Sequence, residues 1–332
     1  MAGRGTRLRP HSLTIPKPML PVAGVPIVQQ LISTISKAIK SSVDEVAYVI
    51  GDPAFFGKEI EETLIKTAES IGAKATIYHQ NEPLGTGHAV MCASPSLNGP
   101  AIIAFADTIV RADLEINPEA DGIIWVKEVE NPEAYGVVEL NNKKYVKNLI
   151  EKPQSFISNQ AAIGVYYFKE VEILKNKLLK ILNIKKKSGD EYQINEGIIS
   201  MINEGYIIES GHVSHWMDCG NPSITIETNT QILDILSNED VNLISTKLKL
   251  KNSIIIHPCY IGENVEIINS NIGPGVSIGQ NTRIENCEIK HSLIQNNSII
   301  LNSKLANSMI GNNVYFDNNY KSVSIGDFSQ IK

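Results

Sequence analysis

From residue 252 onward aliphatic side chains recur at a fixed short step. Ile255, Ile261, Ile267, Ile272, Ile278, Ile284, Ile289, Ile294, Ile300, Leu305 and Ile310 are spaced five or six residues apart, with Gly- or Asn-rich steps such as IGENVE, IGPGVS and IGQNTR between them. Such a repeat cannot bury its apolar row alone, so the chain must coil and stack on itself as a parallel β-helix. This reading places a β-helix over 252–332, and the segment 237–251, ending in TKLKLKN, as its connection to what precedes.

Residues 1–236 carry a different pattern. The β-rich runs VAYVI (46–50), ATIYH (75–79), AIIAFA (101–106) and GIIWVK (122–127) alternate with amphipathic segments at 27–40 and 57–71, whose apolar residues recur at helical spacing. Strands alternating with helices predict a mostly parallel α/β sheet with ligands at its carboxyl edge.

At the start of that domain stands GRGTRLRPHSLTIPKPMLP, Gly3 to Pro21. Gly3 and Gly5, with Thr6, permit a tight loop whose amides can converge on phosphate oxygens. Arg7 adds a planar fork of donors, and Lys17 adds a mobile point charge able to follow negative charge as it develops. Pro16, Pro18 and Pro21 fix φ around Lys17 and limit the entropy lost when a ligand is clamped. No Gly-Lys-Ser/Thr follows and the glycine spacing is not that of a dinucleotide fingerprint, so the loop is neither of those phosphate motifs.

Composition narrows the partners. With 332 residues, 42% hydrophobic, the chain is long enough for two domains and a substantial core. A net charge of −6 argues against a general nucleic-acid binder, and Lys185, Lys186 and Lys187 form the only basic run, read as a solvated loop or helix end. Four cysteines, Cys92, Cys219, Cys259 and Cys287, are scattered without a CxxC pair, which suits a reducing cytosol. His215 and Cys219 have a spacing a metal could use, but no second pair completes a zinc site. With neither a signal peptide nor an uninterrupted apolar stretch of spanning length, a cytoplasmic protein without membrane partners is expected.

Further groups carry chemistry. In HQNEPLGTGHAV, Gln80 offers an amide donor and acceptor beside Gly85, where the backbone can approach a flat base. Asp107 ends the apolar run AIIAFAD, so its carboxylate emerges at the sheet's carboxyl edge.

The string GxGTRLRPxxxxxPKPMLPVxGxPI, Gly3 to Ile27, resembles the opening of the sugar-1-phosphate nucleotidylyltransferases, and further matches run to about residue 235. The resemblance implies a Rossmann-like catalytic domain that joins a nucleoside triphosphate to a sugar 1-phosphate and releases pyrophosphate. It makes Arg7 and Lys17 catalytic, and Gly3, Gly5 and Thr6 nucleotide-binding. LGTGHAV resembles the base-reading segment of uridylyltransferases, which adds Gln80, Gly85 and Thr86 as base-side residues and favours dTTP or UTP. Asp107, and Asp218 in HWMDCGNPSITIETN, correspond to the metal-binding aspartates, and two carboxylates from distant segments suit Mg²⁺, which takes a few hard oxygen ligands plus phosphates and water. NPEAYGVVEL implies sugar contacts at Tyr135 and Gly136. Glu151-Lys152-Pro153 implies an acid on sugar hydroxyls and a lysine on the sugar phosphate. The repeat after 252 resembles the left-handed β-helix of hexapeptide proteins, implying a structural and oligomerising domain and a homo-oligomer.

The departures are specific. Family members begin with a short apolar strand ahead of the glycine loop, whereas this chain starts at Met1-Ala2-Gly3, so several further apolar residues are expected in the natural product. The usual Gly-Asp is Ala106-Asp107. Ala162 and Ile163 stand where many uridylyltransferases have an Asn-Thr that contacts an N-acetyl sugar, which leans toward glucose 1-phosphate. Of the histidines an acyltransferase would need, the repeat region holds only His257 and His291. A non-catalytic regulatory subunit and a mannose-1-phosphate guanylyltransferase are the competing readings; retained Arg7, Lys17, Asp107 and Asp218 favour an enzyme.

Overall fold

The computed structural model describes every residue except 2, 4, 40, 54, 113, 185–189, 319, 321 and 332, so the Lys185–Lys187 run lies outside the described residues. The chain divides into two units, residues 1–3 with 29–216, and residues 4–28 with 217–332.

The first unit carries the alternating strands and helices. In chain order they are α1 (Ile27–Ala38, which begins just before the unit does), β1 (Glu45–Ile50), α2 (Lys58–Glu69), β2 (Lys74–His79), α3 (Thr86–Cys92), β3 (Ala101–Ala104), β4 (Gly122–Glu128), β5 (Gly136–Leu140), β6 (Val146–Glu151), β7 (Gln160–Phe168), α4 (Val171–Leu182), α5 (Ile194–Asn203) and β8 (Ile208–His212). The four expected strands are present as β1 to β4, and both expected helices as α1 and α2.

β1 and β2 pair in parallel, as do β4 and β8. The long strand β7 runs antiparallel to β3, β4 and β5, which gives the larger sheet its mixed character. An uninterrupted run such as GIIWVKE suits a strand covered on both faces. Accordingly Ile123, Ile124, Trp125 and Val126 are all buried. Each such side chain contributes about 1.5–3 kcal/mol relative to an exposed one. One face of the sheet packs Ile124, Val126, Val138, Leu149 and Phe168 against Leu174 and Leu178 of α4 and Ile198 and Met201 of α5. α5 opens with a capping box, in which the Gln193 and Glu196 side chains reciprocally satisfy backbone amides.

The second unit contains a left-handed parallel β-helix of about five turns. Its inner rows stack in register: Ile267, Ile284, Ile300 and Phe316 form one, Ile272, Ile289 and Leu305 another, and Ile278, Ile294, Ile310 and Ile325 a third. These side chains form one apolar core. The asparagines noted between the aliphatic steps are the corners. Nine of them lie at φ between 48 and 58°, the left-handed region in which a short polar side chain is tolerated best after glycine. Their amides then bond from coil to coil: Asn269 Nδ2 donates to Asn286 Oδ1 at 3.2 Å, Asn286 to Asn302 at 3.0 Å, and Asn302 to Asp317 at 2.9 Å.

One outer face of the β-helix is covered by the unit's own residues 10–24. The Tyr260 ring lies on Gly24, where a Cβ would come within 2.0 Å of it. Pro21 O accepts from Gln295 Nε2 at 3.4 Å, His11 Nε2 lies 3.1 Å from Ser324 Oγ, and Thr14 Oγ1 donates to Asp327 Oδ2 at 2.5 Å.

His11 is buried, and burial lowers its pKa from the ordinary 6.5 to about 4, against the opposing pull of Asp327. The folded imidazole therefore binds fewer protons than the unfolded one between those values, so its contribution to stability is complete above pH 6.5 and lost as pH falls toward 4. Denaturant unfolding at pH 7 and pH 4.5 should show an acid loss that His11→Leu reduces, by up to about 3 kcal/mol.

Candidate functional site

Gly5, Thr6, Arg7, Lys17 and Asp218 belong to the second unit; Gly3, Gln80, Gly85, Thr86, Asp107, Tyr135, Gly136, Glu151 and Lys152 belong to the first. Three local groups stand out among them.

In the first group Gly5, at φ 57°, starts a short 3₁₀ turn over Thr6–Leu8. Leu8 is fully buried and anchors the turn, which leaves Thr6 and Arg7 exposed. Ser12 Oγ donates to Gly5 O at 2.7 Å, fixing the loop from below. A Cβ on Gly5 would stand 3.1 Å from Lys17 Cβ, so the bare glycine is what lets the loop lie against the lysine stem. Lys17 begins a second 3₁₀ turn, Lys17–Met19, stiffened by Pro16 and Pro18. Its side chain is 9% exposed and its Nζ lies 3.6 Å from Asp218 Oδ1, whose side chain is 28% exposed.

Gly220 faces that carboxylate, and a Cβ there would come within 2.7 Å of Asp218 Oδ2. A part-exposed acid facing bare backbone has the hard oxygen donors a divalent cation takes, and the Lys17 ammonium shares that carboxylate. Among the described residues no three His, Cys, Asp or Glu side chains form a metal cage. Asp107 is exposed in the turn after β3.

The second group surrounds Gln80, which is buried and follows β2. Its Nε2 donates to Gly85 O at 3.1 Å and lies 3.0 Å from His88 Nδ1. Gly85, at φ 108°, must be glycine twice over, because a Cβ would also stand 2.6 Å from Tyr192 O. Gly87 N donates to Tyr192 O at 2.7 Å, and Thr86 Oγ1 donates to Gln193 Oε1 at 2.8 Å while accepting from Ile194 N at 3.0 Å. Sequence reasoning did not assign Tyr192 and Gln193 to this group. The legible signal was the Gln-x-x-Glu capping box at 193–196.

The third group is built on the β5–β6 pair, where Gly136 stands opposite Glu151. Glu151 Oε2 would be 2.9 Å from a Cβ at Gly136, and it accepts from Asn195 Nδ2 at 3.4 Å. Asn195 is a second residue the sequence did not single out. Lys152 follows at φ 43°, its amide donating to Tyr135 O at 3.0 Å. Tyr135 meets Trp216 edge-on with centroids 5.0 Å apart. Ile163 is buried where β7 changes register, and Ala162 beside it is equally apolar.

Comparison with known proteins gives a consistent result. The family model for nucleotidyl transferases matches residues 1–235. The chain is 30% identical over 319 residues to the Bifunctional protein GlmU of Methanococcus aeolicus, covering 89% of this chain and 72% of that one. It is 29% identical over 316 residues to the glucose-1-phosphate thymidylyltransferase of Streptomyces antibioticus, and 27% over 314 residues to the low-salt glycan biosynthesis nucleotidyltransferase Agl11 of Haloferax volcanii. Each of those two alignments covers 88% of this chain and 85% of the relative.

Proposed function

Because the chain belongs to the nucleotidyl transferase family, we propose that it transfers a nucleotidyl group from dTTP or UTP to a sugar 1-phosphate, glucose 1-phosphate before others, with release of pyrophosphate. The observation that carries the proposal is the low-exposure Lys17 held 3.6 Å from Asp218 beside the Gly5 turn. In the reaction an oxygen of the sugar phosphate forms a bond to the α-phosphorus, the bond from that phosphorus to the β-phosphate bridging oxygen breaks, and pyrophosphate carries away the electron pair. Thr6 and the loop amides bind the triphosphate, while Arg7 and Lys17 neutralise charge as it develops, so positioning and electrostatics supply most of the acceleration.

Mg²⁺, with Asp107 and Asp218 as its protein ligands, would supply further neutralisation of the phosphates. Gln80 and the Gly85 backbone orient the base, Tyr135, Gly136 and Glu151 the sugar, and Lys152 its phosphate. The base and sugar preferences rest on the mixed donor and acceptor character of Gln80 and on the apolar Ala162-Ile163 pair. Thymine and uracil differ by one methyl group, a difference worth only about 1–3 kcal/mol in a pocket.

The test is pyrophosphate release with Mg²⁺ across dTTP, UTP, GTP, ATP and CTP, each paired with the 1-phosphates of glucose, N-acetylglucosamine, mannose and galactose. The expected result is strong turnover for dTTP or UTP with glucose 1-phosphate. A purine nucleotide pair as the best substrate would overturn the base assignment, and silence in a folded, nucleotide-binding protein would favour a regulatory subunit.

A further inference from the structure

Helix α6 (Pro222–Asn238) bonds two consecutive side chains to the backbone of Asp218 and to that of the hairpin following Lys17. Thr228 Oγ1 donates to the backbone carbonyl of Asp218 at 2.6 Å. Asn229 Oδ1 accepts from Ala23 N at 2.9 Å, in the turn that closes the Pro21–Pro26 hairpin directly after the Lys17 turn. Thr228 is 3% exposed and Asn229 is completely buried. The same Asn229 oxygen accepts from Ser277 Oγ at 2.7 Å, and its Nδ2 donates to Gly275 O at 3.4 Å. Ser277 lies on a β-helix strand, Val276–Ile278.

Ala23 stands at φ 48°, a left-handed conformation that a residue with a Cβ keeps only where its surroundings over-determine it. The bond from its amide to Asn229 is one such restraint. A buried asparagine whose only task was to satisfy itself would not need an acceptor shared by donors from two separate segments, nor a neighbouring threonine bonded to the acid's own main chain.

We propose that Thr228, Asn229 and Ser277 are positioning residues that hold Lys17 against Asp218, so that a β-helix serine helps to set the rate of nucleotidyl transfer. This rests on the catalytic reading of Lys17 given above. The three side chains act through the backbone of Asp218 and of the hairpin, not on the substrate. Transfer rates respond steeply to small displacements of a charge-neutralising group, whereas ground-state binding, spread over many contacts, responds weakly.

Thr228→Val keeps the side chain's shape and removes its donor, Asn229→Ala removes the shared acceptor, and Ser277→Ala removes one of its donors. Steady-state kinetics should show kcat lowered about tenfold by Thr228→Val and Asn229→Ala and about threefold by Ser277→Ala, with KM for the nucleotide changed less than about twofold. Thr228→Ser, which retains the hydroxyl, should restore most of the lost kcat. Hydrogen exchange read in parallel over residues 17–26 should accelerate in Asn229→Ala and Ser277→Ala. Wild-type kcat in folded Thr228→Val and Asn229→Ala, or a raised KM with kcat intact, overturns the proposal. Should Asn229→Ala fail to fold, the Thr228→Val, Thr228→Ser and Ser277→Ala series decides it alone. If the wild-type protein turns over no substrate pair, the functional reading fails, and exchange over 17–26 still separates the outcomes: faster in Ser277→Ala supports the positioning role, unchanged overturns it.

Discussion

Lys17→Ala is expected to lower kcat by about 10²–10³-fold while weakening nucleotide binding by less than about tenfold, as for removal of a preorganised group aimed at developing charge. The asymmetry follows from where the ammonium sits. Lys17 is mostly withdrawn from water, where a charge acts more strongly, and the carboxylate at 3.6 Å fixes its geometry before substrate arrives. In the proposed reaction a ground-state triphosphate has other donors in the glycine loop, whereas the charge that appears on the departing pyrophosphate as the bond breaks is new, and a preorganised cation is worth most there. Steady-state rates combined with calorimetric nucleotide binding check the split; unchanged turnover in a folded variant would remove Lys17 from the chemistry.

The second large effect concerns stability. Ile284 is fully buried and lies in register between Ile267 and Ile300. Truncation to alanine leaves a cavity that stacked coils on either side cannot close, so Ile284→Ala should cost about 2–5 kcal/mol. Ile299, one residue before Ile300 on the outer face, is 39% exposed, and Ile299→Ala should stay within about 0.5 kcal/mol. Guanidinium unfolding of both variants gives the comparison. Equal losses would contradict the assignment of inner and outer rows.

The inner rows were legible because their period is carried by residue type alone. Isoleucine after isoleucine at five- or six-residue steps has one way to be buried, and asparagine at the corners follows from the left-handed backbone. β1 to β4 were legible from their apolar runs for the same reason. The direction of β7 was not, because alternation of strands and helices suggests parallel pairing and says nothing about one long strand returning between its neighbours.

The union of residues 4–28 with the β-helix was also hidden. Its contacts at Tyr260 and Ser324 fall on outward positions, where serine and tyrosine read as ordinary surface. Leu293 and Met309 held the available clue. Each precedes a core isoleucine in its strand, so each points outward, yet both are buried. The sugar-side and base-side groups were legible as motifs, whereas Gln193 and Asn195, more than 40 residues from Glu151 and more than 100 from Thr86, required the fold.

Repeat arrays ordinarily gain and lose units freely, since each coil meets only its neighbours. Here residues 10–24 run along one face from Tyr260, through Gln295, to Ser324 and Asp327, touching early, middle and late coils in turn. Loss or duplication of a single coil, 16 or 17 residues by the spacing of Ile267, Ile284 and Ile300, would shift every later partner out from under a segment of fixed length. Copy number in this solenoid is therefore gauged by the strap laid across it, and the repeat is free to drift in sequence but not in count.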